Sequence, residues 1–376
     1  MKARSAFFLL TVLAGVSSCI YPYDPQLENQ PDKIVVVDGS IMVGGISTIK
    51  IDYLAPINSS AVAKPMGSAW IEDNLGKAYY PWGGAMAKGS SFTIQTADTG
   101  SAEQFRAVVE VDGKTYVSEW QTPADAPEIT SIDFSADEST VYVTMDVKPG
   151  SGSSGYIGFL CDETWRFHSD ICPEYYVNTQ TWTYDTFMTG YEYYWCWRNS
   201  SSQQVSLVDY SGLEGDVIGK IPVKRFLRSD SRNHQRYSIL VKAFAISKEA
   251  YDYNKRTQEI SDIGGSLFTP DPGTLPSNLT CTTDPEQEVM GMVLAGTIGS
   301  RRAYLGNEYL VSRPVSTSEF VHVPAEEMET WYYNKNYRPA YYVTIGDVID
   351  MGWVPHRCIN CIEAGGTQTR PDFWED

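Results

Sequence analysis

The sequence predicts a mostly β protein, with an N-terminal immunoglobulin-like β-sandwich followed by a larger β-rich domain that carries one or two helices. Three observations lead there. Short runs of Val, Ile, Thr and Tyr alternate with a period of two, they recur about every 8–12 residues, and turn-forming Gly, Pro, Asn and Asp separate them. A chain of 376 residues is long enough for about two domains, each with its own core.

The first strand is expected at 34–37, and Ile46–Tyr53 alternates as the next. A strand at 69–72 leads into a turn at Asn74 and Gly76. Phe105–Val111 and Lys114–Ser118 are joined by Asp112 and Gly113, the pair that supplies the positive φ angles of a type I′ hairpin. The sandwich is therefore placed at 33–122, and Pro123, Ala124, Asp125, Ala126 and Pro127 read as a linker before a second domain over 128–376. Strands follow at 129–134, 140–147, 156–160, 205–210, 216–222 and 237–245. Gly150, Gly152 and Gly155 match a dinucleotide-binding pattern in form, but that fingerprint must open a helix, and here a strand comes next, so a hairpin loop is expected. One helix is expected after Ser247 as its cap, with Glu249 in the first turn and Ala250, Tyr253, Thr257 and Ile260 along one face.

Residues 1–18 carry Lys2 and Arg4, an apolar stretch, and then Val16, Ser17 and Ser18 before Cys19, which reads as a secretory signal with a small-residue cleavage site. A cysteine directly after that site is the bacterial lipoprotein arrangement, so Cys19 is the expected lipidation site. Acyl chains gain about 0.8 kcal/mol per buried methylene and hold a chain on a membrane without a transmembrane helix. Residues 19–32, with Pro22, Pro25 and Pro31, form an extended tether. Ile20 in place of Asp after the lipidated residue fits the outer membrane.

The formal charge of −18, from 47 acidic and 29 basic side chains, disfavours nucleic acid as a partner. Between Trp165 and Trp197, 12 of 33 residues are aromatic, and such faces suit sugar rings, apolar peptides or protein partners. Trp165, Trp182, Tyr184, Tyr193, Trp195 and Trp197 are the candidate contacts for a glycan or peptide ligand, and packing of a sheet core is the alternative for the same residues.

Once Cys19 is lipidated, an even set remains: Cys161, Cys172, Cys196, Cys281, Cys358 and Cys361. Export favours disulfides among them, with the pairing open. Cys358 and Cys361 form a CxxC, but the redox reading lacks a βαβ context and the zinc reading lacks a second pair, so structural bonds are expected and no metal. The four histidines, His168, His234, His322 and His356, assemble into no HExxH or triad ordering, so no catalytic residue and no cofactor are assigned. A carboxylate pair for glycoside hydrolysis is the third and weakest option.

The stretch at 237–253 resembles the strand-to-helix signature of a lipoprotein family from the Bacteroidetes, a domain of unknown function numbered 4249. Gly265, Ser266, Leu267, Phe268, Thr269 and Pro270, with Pro276 to Leu279, are similar to its next block. Arg357, Cys358, Ile359, Asn360 and Cys361, then Gly365, Gly366 and Thr367, and Pro371, Asp372, Phe373 and Trp374, look like its closing motif. The resemblance implies a surface lipoprotein without defined functional residues, often encoded beside TonB-dependent outer-membrane transporters. The expected function is therefore a non-enzymatic, surface-exposed outer-membrane lipoprotein that serves such a barrel as accessory or ligand-binding partner. The alternative is a structural or adhesive surface protein with an aromatic contact face.

Overall fold

The computed structural model describes residues 34–54, 64–263, 275–311 and 320–375, apart from positions 189, 203, 214 and 346. The signal, Cys19, the tether and the 265–270 block lie outside them. From Val35 onward the chain is a single unit.

Alternation builds the first sandwich as expected. β1 (Val35–Val43) pairs with β2 (Ile46–Tyr53), and β5 (Ser91–Gln95) pairs with β2. The facing sheet holds β3 (Ser68–Asp73), β4 (Ala78–Tyr79), β6 (Phe105–Val111) and β7 (Lys114–Ser118). Asp112 and Gly113 take φ of 52° and 76°, so the hairpin turn has the predicted chemistry. Val37, Ile49 and Ile51 of one sheet meet Ile71, Val109 and Tyr116 of the other in a shared core.

Residues 33–122 supply most of this sandwich, and 279–297 supply the rest. β17 (Leu279–Cys281) adds to β7, while β18 (Val289–Met290) and β19 (Val293–Thr297) run parallel to β1. The returning strands satisfy backbone groups of β1 and β7 that would otherwise sit on open sheet edges. Gly291 makes the step between β18 and β19 possible: at φ 115°, a Cβ there would lie 2.1 Å from the Val37 carbonyl oxygen.

In the second sandwich, β8 (Glu128–Ala136), β9 (Thr140–Lys148) and β15 (Ile218–Leu227) form one sheet in the order β15-β9-β8. The other is centred on β10 (Tyr156–His168), which pairs with β13 (Trp195–Ser201), β14 (Ser206–Asp209) and β16 (Arg236–Ala245). β20 (Gly299–Tyr304) completes it on β16. Val141, Val143, Met145 and Val147 pack against Ile157, Phe159, Ile239 and Val241. The glycine-rich stretch connects β9 to β10, a strand, as the pattern argument required.

α1 (Lys248–Ile263) begins where Ser247 Oγ accepts the backbone N–H of Ala250 at 3.1 Å. Ala250 and Tyr253 bury against Met42, Phe244, Ile246, Met292 and Leu294, which joins the two sandwiches through one apolar cluster. The Tyr253 hydroxyl donates to Asp38 Oδ1 at 2.6 Å across that junction. Ile260, placed on the same face by its spacing, is instead 38% exposed, because the apolar cluster covers only the first turns.

A smaller cap completes the fold. β11 (Tyr175–Asn178) pairs with β12 (Thr183–Thr186), and β21 (Tyr337–Ile345) pairs with β22 (Val348–Pro355). With α2 (Met328–Tyr333), they enclose Val177, Met328, Met351 and Trp353. A 3-10 turn at His356–Cys358 follows, and a disulfide between Cys196 and Cys361 ties this segment to β13.

That disulfide corrects the expectation of bonds among all six cysteines. Cys161, Cys172, Cys281 and Cys358 are free thiols. A disulfide needs Cα atoms within about 7 Å. Cys161 and Cys281 face the cores of different sandwiches, whereas exposed Cys172 lies near Cys358, since Ile171 donates its N–H to the Cys358 carbonyl oxygen at 2.9 Å, and both of these are free thiols. Burial and the adjacent Glu163 push the Cys161 thiol up to about 12, so it behaves as a small apolar side chain rather than a nucleophile.

Candidate functional site

Strand period decides where the aromatic segment goes. Along β10 the odd residues face inward, which puts Trp165 in the core at 5% exposure, with its Nε1–H donated to Ser231 Oγ at 3.1 Å. Trp165 is thus a core residue, not a contact on an open face. The other five candidates are half-buried, and each is engaged with another side chain. Trp182 meets Tyr332 and Tyr333 edge-on, and the Tyr184 hydroxyl accepts from Trp353 Nε1 at 3.0 Å. Tyr193 packs on Tyr191, Trp195 on His168 and under Arg166, and Trp197 on Trp374. Instead of a flat platform, the segment splits between β13 and the cap.

Where β10 emerges from the second sandwich, a cavity of about 340 Å³ opens between the strand ends and the C-terminal segment. That volume falls in the range of small-molecule sites. Phe167, His168, Ser169 and Asp170 come from β10 and the residues after it, and Arg198 from β13. Ser229, Ser231 and His234 come from the β15–β16 connection, while Arg357, Glu363 and Ala364 close the far wall. Arg198 stacks on Phe167 at 4.6 Å and donates to the Ala364 carbonyl, so its guanidinium is fixed at the wall. His168 stacks on Tyr194 at 4.8 Å, and its Nδ1 is 2.6 Å from the Ser169 carbonyl oxygen.

Two guanidiniums and two imidazoles here face Asp170 and Glu363, and the Glu363 carboxylate is engaged by His356 Nδ1 at 2.6 Å. The two guanidiniums, set here beside Asp170 and Glu363, are the charged donors that the cavity offers to an anion. His234 Nε2 is buried and has no hydrogen-bond partner among the described residues.

Burial, and next the neighbouring His168, hold His234 below the ordinary histidine value of 6.5, with Asp230 acting in the opposite direction. The unfolded chain then takes up the proton before the folded one does. Stability is full above about 6.5 and falls as pH drops through that value. Urea unfolding at pH 7.5 and 5.5 should show this loss, and His234→Asn should make the decline shallower. An equal decline in both proteins would show that His234 is not its source.

A second, smaller cavity of about 150 Å³ lies within the cap. Tyr175, Tyr176, Phe187, Tyr191 and Tyr332 give it aromatic walls, and Arg338 and His356 add polar edges. Phe187 stands 5.1 Å from both Tyr176 and Tyr191, and burial pushes the Tyr191 hydroxyl up to about 12, so it stays a neutral phenol.

Arg198 and Ser231 escaped the sequence reading because no local motif joins them, and Arg357 figured there only in the closing block, without a site role. The histidines were the available signal: three of the four border these cavities, although no catalytic motif links them. Among the described residues, no three His, Cys, Asp or Glu side chains converge as metal ligands.

A comparison with curated proteins finds no match. The model of the domain of unknown function (DUF4249) matches residues 20–302. The match takes in the 237–253 signature and the 265–279 block but ends before 357–374. The closing motif assigned to that ending therefore lies beyond the match, and so do Arg357 and Glu363. With most of its length covered, the chain belongs to the family of the domain of unknown function DUF4249.

Proposed function

We propose that this chain is a non-enzymatic lipoprotein of the outer-membrane surface that captures a small anionic ligand as the binding partner of a TonB-dependent transporter. The observation that carries the reading is the cavity that gathers two guanidiniums, Arg198 and Arg357, with His168 and His234 in an otherwise acidic protein. The signal ending at Cys19 supports the lipid anchor, and the family resemblance supports the transporter partnership. A cavity between a rigid sandwich and a disulfide-tied segment favours capture over adhesion, since capture needs a preformed concave site. The aromatic residues proposed for an adhesive face are packed against one another instead.

Calorimetric titration with small carboxylates should show saturable binding that Arg357→Gln weakens about tenfold, as loss of a charge-assisted contact implies. Binding that Arg357→Gln leaves unchanged would remove the cavity from the proposal. Affinity capture from native membranes in several mild detergents should recover an outer-membrane barrel. Consistent recovery of the lipoprotein alone would count against the transporter role.

A further inference from the structure

Strand register fixes the end of the first sandwich at which the chain enters it. Val35 opens β1 opposite Tyr53 at the close of β2, and Lys50 stands opposite Ser91 at the start of β5. Gly67, just ahead of β3, bridges Gly89, just ahead of β5. Leu54, Met66 and the connection that runs from Pro81 along β5 to Gly89 therefore border this end. Leu75, in the turn between β3 and β4, stands at the opposite end.

The connection projects from the sandwich. Gly83 and Gly84 take φ of 101° and 77°, values that suit glycine alone, and the 3-10 turn Gly84–Met86 buries none of its residues. Trp82 is 83% exposed and Met86 89%, and Leu54 and Met66 are exposed as well. From Tyr80 to Ala87 the sequence carries no charge, and the first charge after it is the cation of Lys88. Single exposed apolar side chains are ordinary, but several at one end of an acidic protein mark a contact surface.

We propose that this loop docks on the lipid surface that anchors the chain, with Trp82 and Met86 seated among the head groups. The proposal rests on the acylation of Cys19 put forward above and adds a second point of membrane contact. Residues 20–34 span at most about 50 Å when fully extended, so an acylated Cys19 keeps this end of the sandwich within that distance of the bilayer. Docking is then intramolecular, at the millimolar effective concentration of a short tether, and a contact too weak to hold a free protein becomes populated. Trp is enriched at membrane–water interfaces, and a lysine beside it keeps its ammonium in the head-group water while its stem covers apolar surface. The affinity of such a contact scales with the apolar area that the loop buries.

The test uses the processed lipoprotein reconstituted in phosphatidylcholine vesicles, whose lack of net charge keeps attraction to Lys88 out of the result. In a Cys172→Ser background, which removes the exposed thiol, a fluorophore is attached at Met86→Cys or, as control, at Leu75→Cys. Lipids brominated in their acyl chains should quench the label at position 86 roughly threefold more than the label at position 75. Trp82→Ser should remove most of that difference, since loss of one large apolar side chain weakens the contact by roughly tenfold.

Equal quenching at the two positions, or a difference that Trp82→Ser leaves unchanged, overturns the docking. Equal quenching together with Trp82-dependent recovery of a barrel by affinity capture assigns the loop to a protein partner, which overturns it too. The mass of the N-terminal peptide separates the two readings. A peptide without acyl chains refutes the anchor and the docking with it, whereas an acylated chain with equal quenching refutes the docking alone. Matching melting curves for the variants and the wild type show that the differences come from the loop.

Discussion

Replacing Glu163 with alanine is expected to destabilise the protein by about 3 kcal/mol, the cost of removing the carboxylate shared by Lys224, Arg232 and the buried Tyr237 hydroxyl, although Arg232 keeps Asp230 at 3.0 Å. Strand alternation aims Glu163 into the second sandwich, where it is 2% exposed on the same face of β10 as Phe159 and Trp165. A carboxylate in that position must be compensated. Lys224 Nζ lies 2.9 Å from one oxygen, and Arg232 Nε lies 3.0 Å from the other. The Tyr237 hydroxyl donates to Oε1 at 2.9 Å, and burial with the nearby carboxylate holds that phenol well above its ordinary value, so it remains a donor.

Removing the carboxylate leaves Arg232, stacked over Trp165 at 4.9 Å, with a guanidinium it cannot fully return to water. Lys224 is a third exposed and can turn outward, which keeps the cost near the low end of the range for buried pairs. The check is urea unfolding of Glu163→Ala beside the triple variant Glu163→Leu, Lys224→Met, Arg232→Met. The triple variant should regain part of the loss: the apolar side chains need no counter-charge, while the buried Tyr237 hydroxyl still lacks its acceptor. A single variant as stable as wild type would show that the network contributes nothing to stability.

Reduction of the Cys196–Cys361 bond should cost about 2–5 kcal/mol. The bond closes a sequence separation of 165 residues, and long loops lose the most unfolded-state freedom on cross-linking. It is buried, so reduction requires local opening of the C-terminal segment. Thermal melts with and without reductant measure the effect, and Cys361→Ser should reproduce it in the absence of reductant. Under denaturing, non-reducing conditions, Cys161, Cys172, Cys281 and Cys358 should titrate as free thiols. An unchanged melting temperature, or six titratable thiols before reduction, would refute the bond. Because the bond ties down the segment that carries Arg357 and Glu363, ligand affinity should fall along with stability.

Much of the strand pattern is legible in sequence, and particular elements show why. β2, β6 and β7 occupy the residues their alternation indicates, and Asp112 and Gly113 form the turn their chemistry favours. In each case the interactions that select the conformation lie within a few residues: side chains alternate about one strand, and a two-residue loop sets its own φ angles. Ser247 caps α1 for the same reason, since donor and acceptor are three positions apart.

Sites built from distant segments were not legible. The even set of six cysteines pointed to cross-linking, yet nothing local distinguishes Cys196 and Cys361 from the four that stay reduced. Their pairing follows from how β13 and the final turn meet in space. The aromatic segment announced a contact role or a core. The two-residue period of β10 and the folding of β11 and β12 onto the cap then divided it between both.

By itself the sequence determined a β-rich chain with a capped helix and local hairpins, because these depend on short-range sterics and hydrogen bonding. Only the tertiary structure decided that 279–297 return to the first sandwich, that Arg198, His234 and Arg357 share a cavity, and that one disulfide steadies its wall. Those outcomes depend on contacts between residues more than a hundred positions apart, which are set by whole sheets packing together and leave no period or motif in the chain.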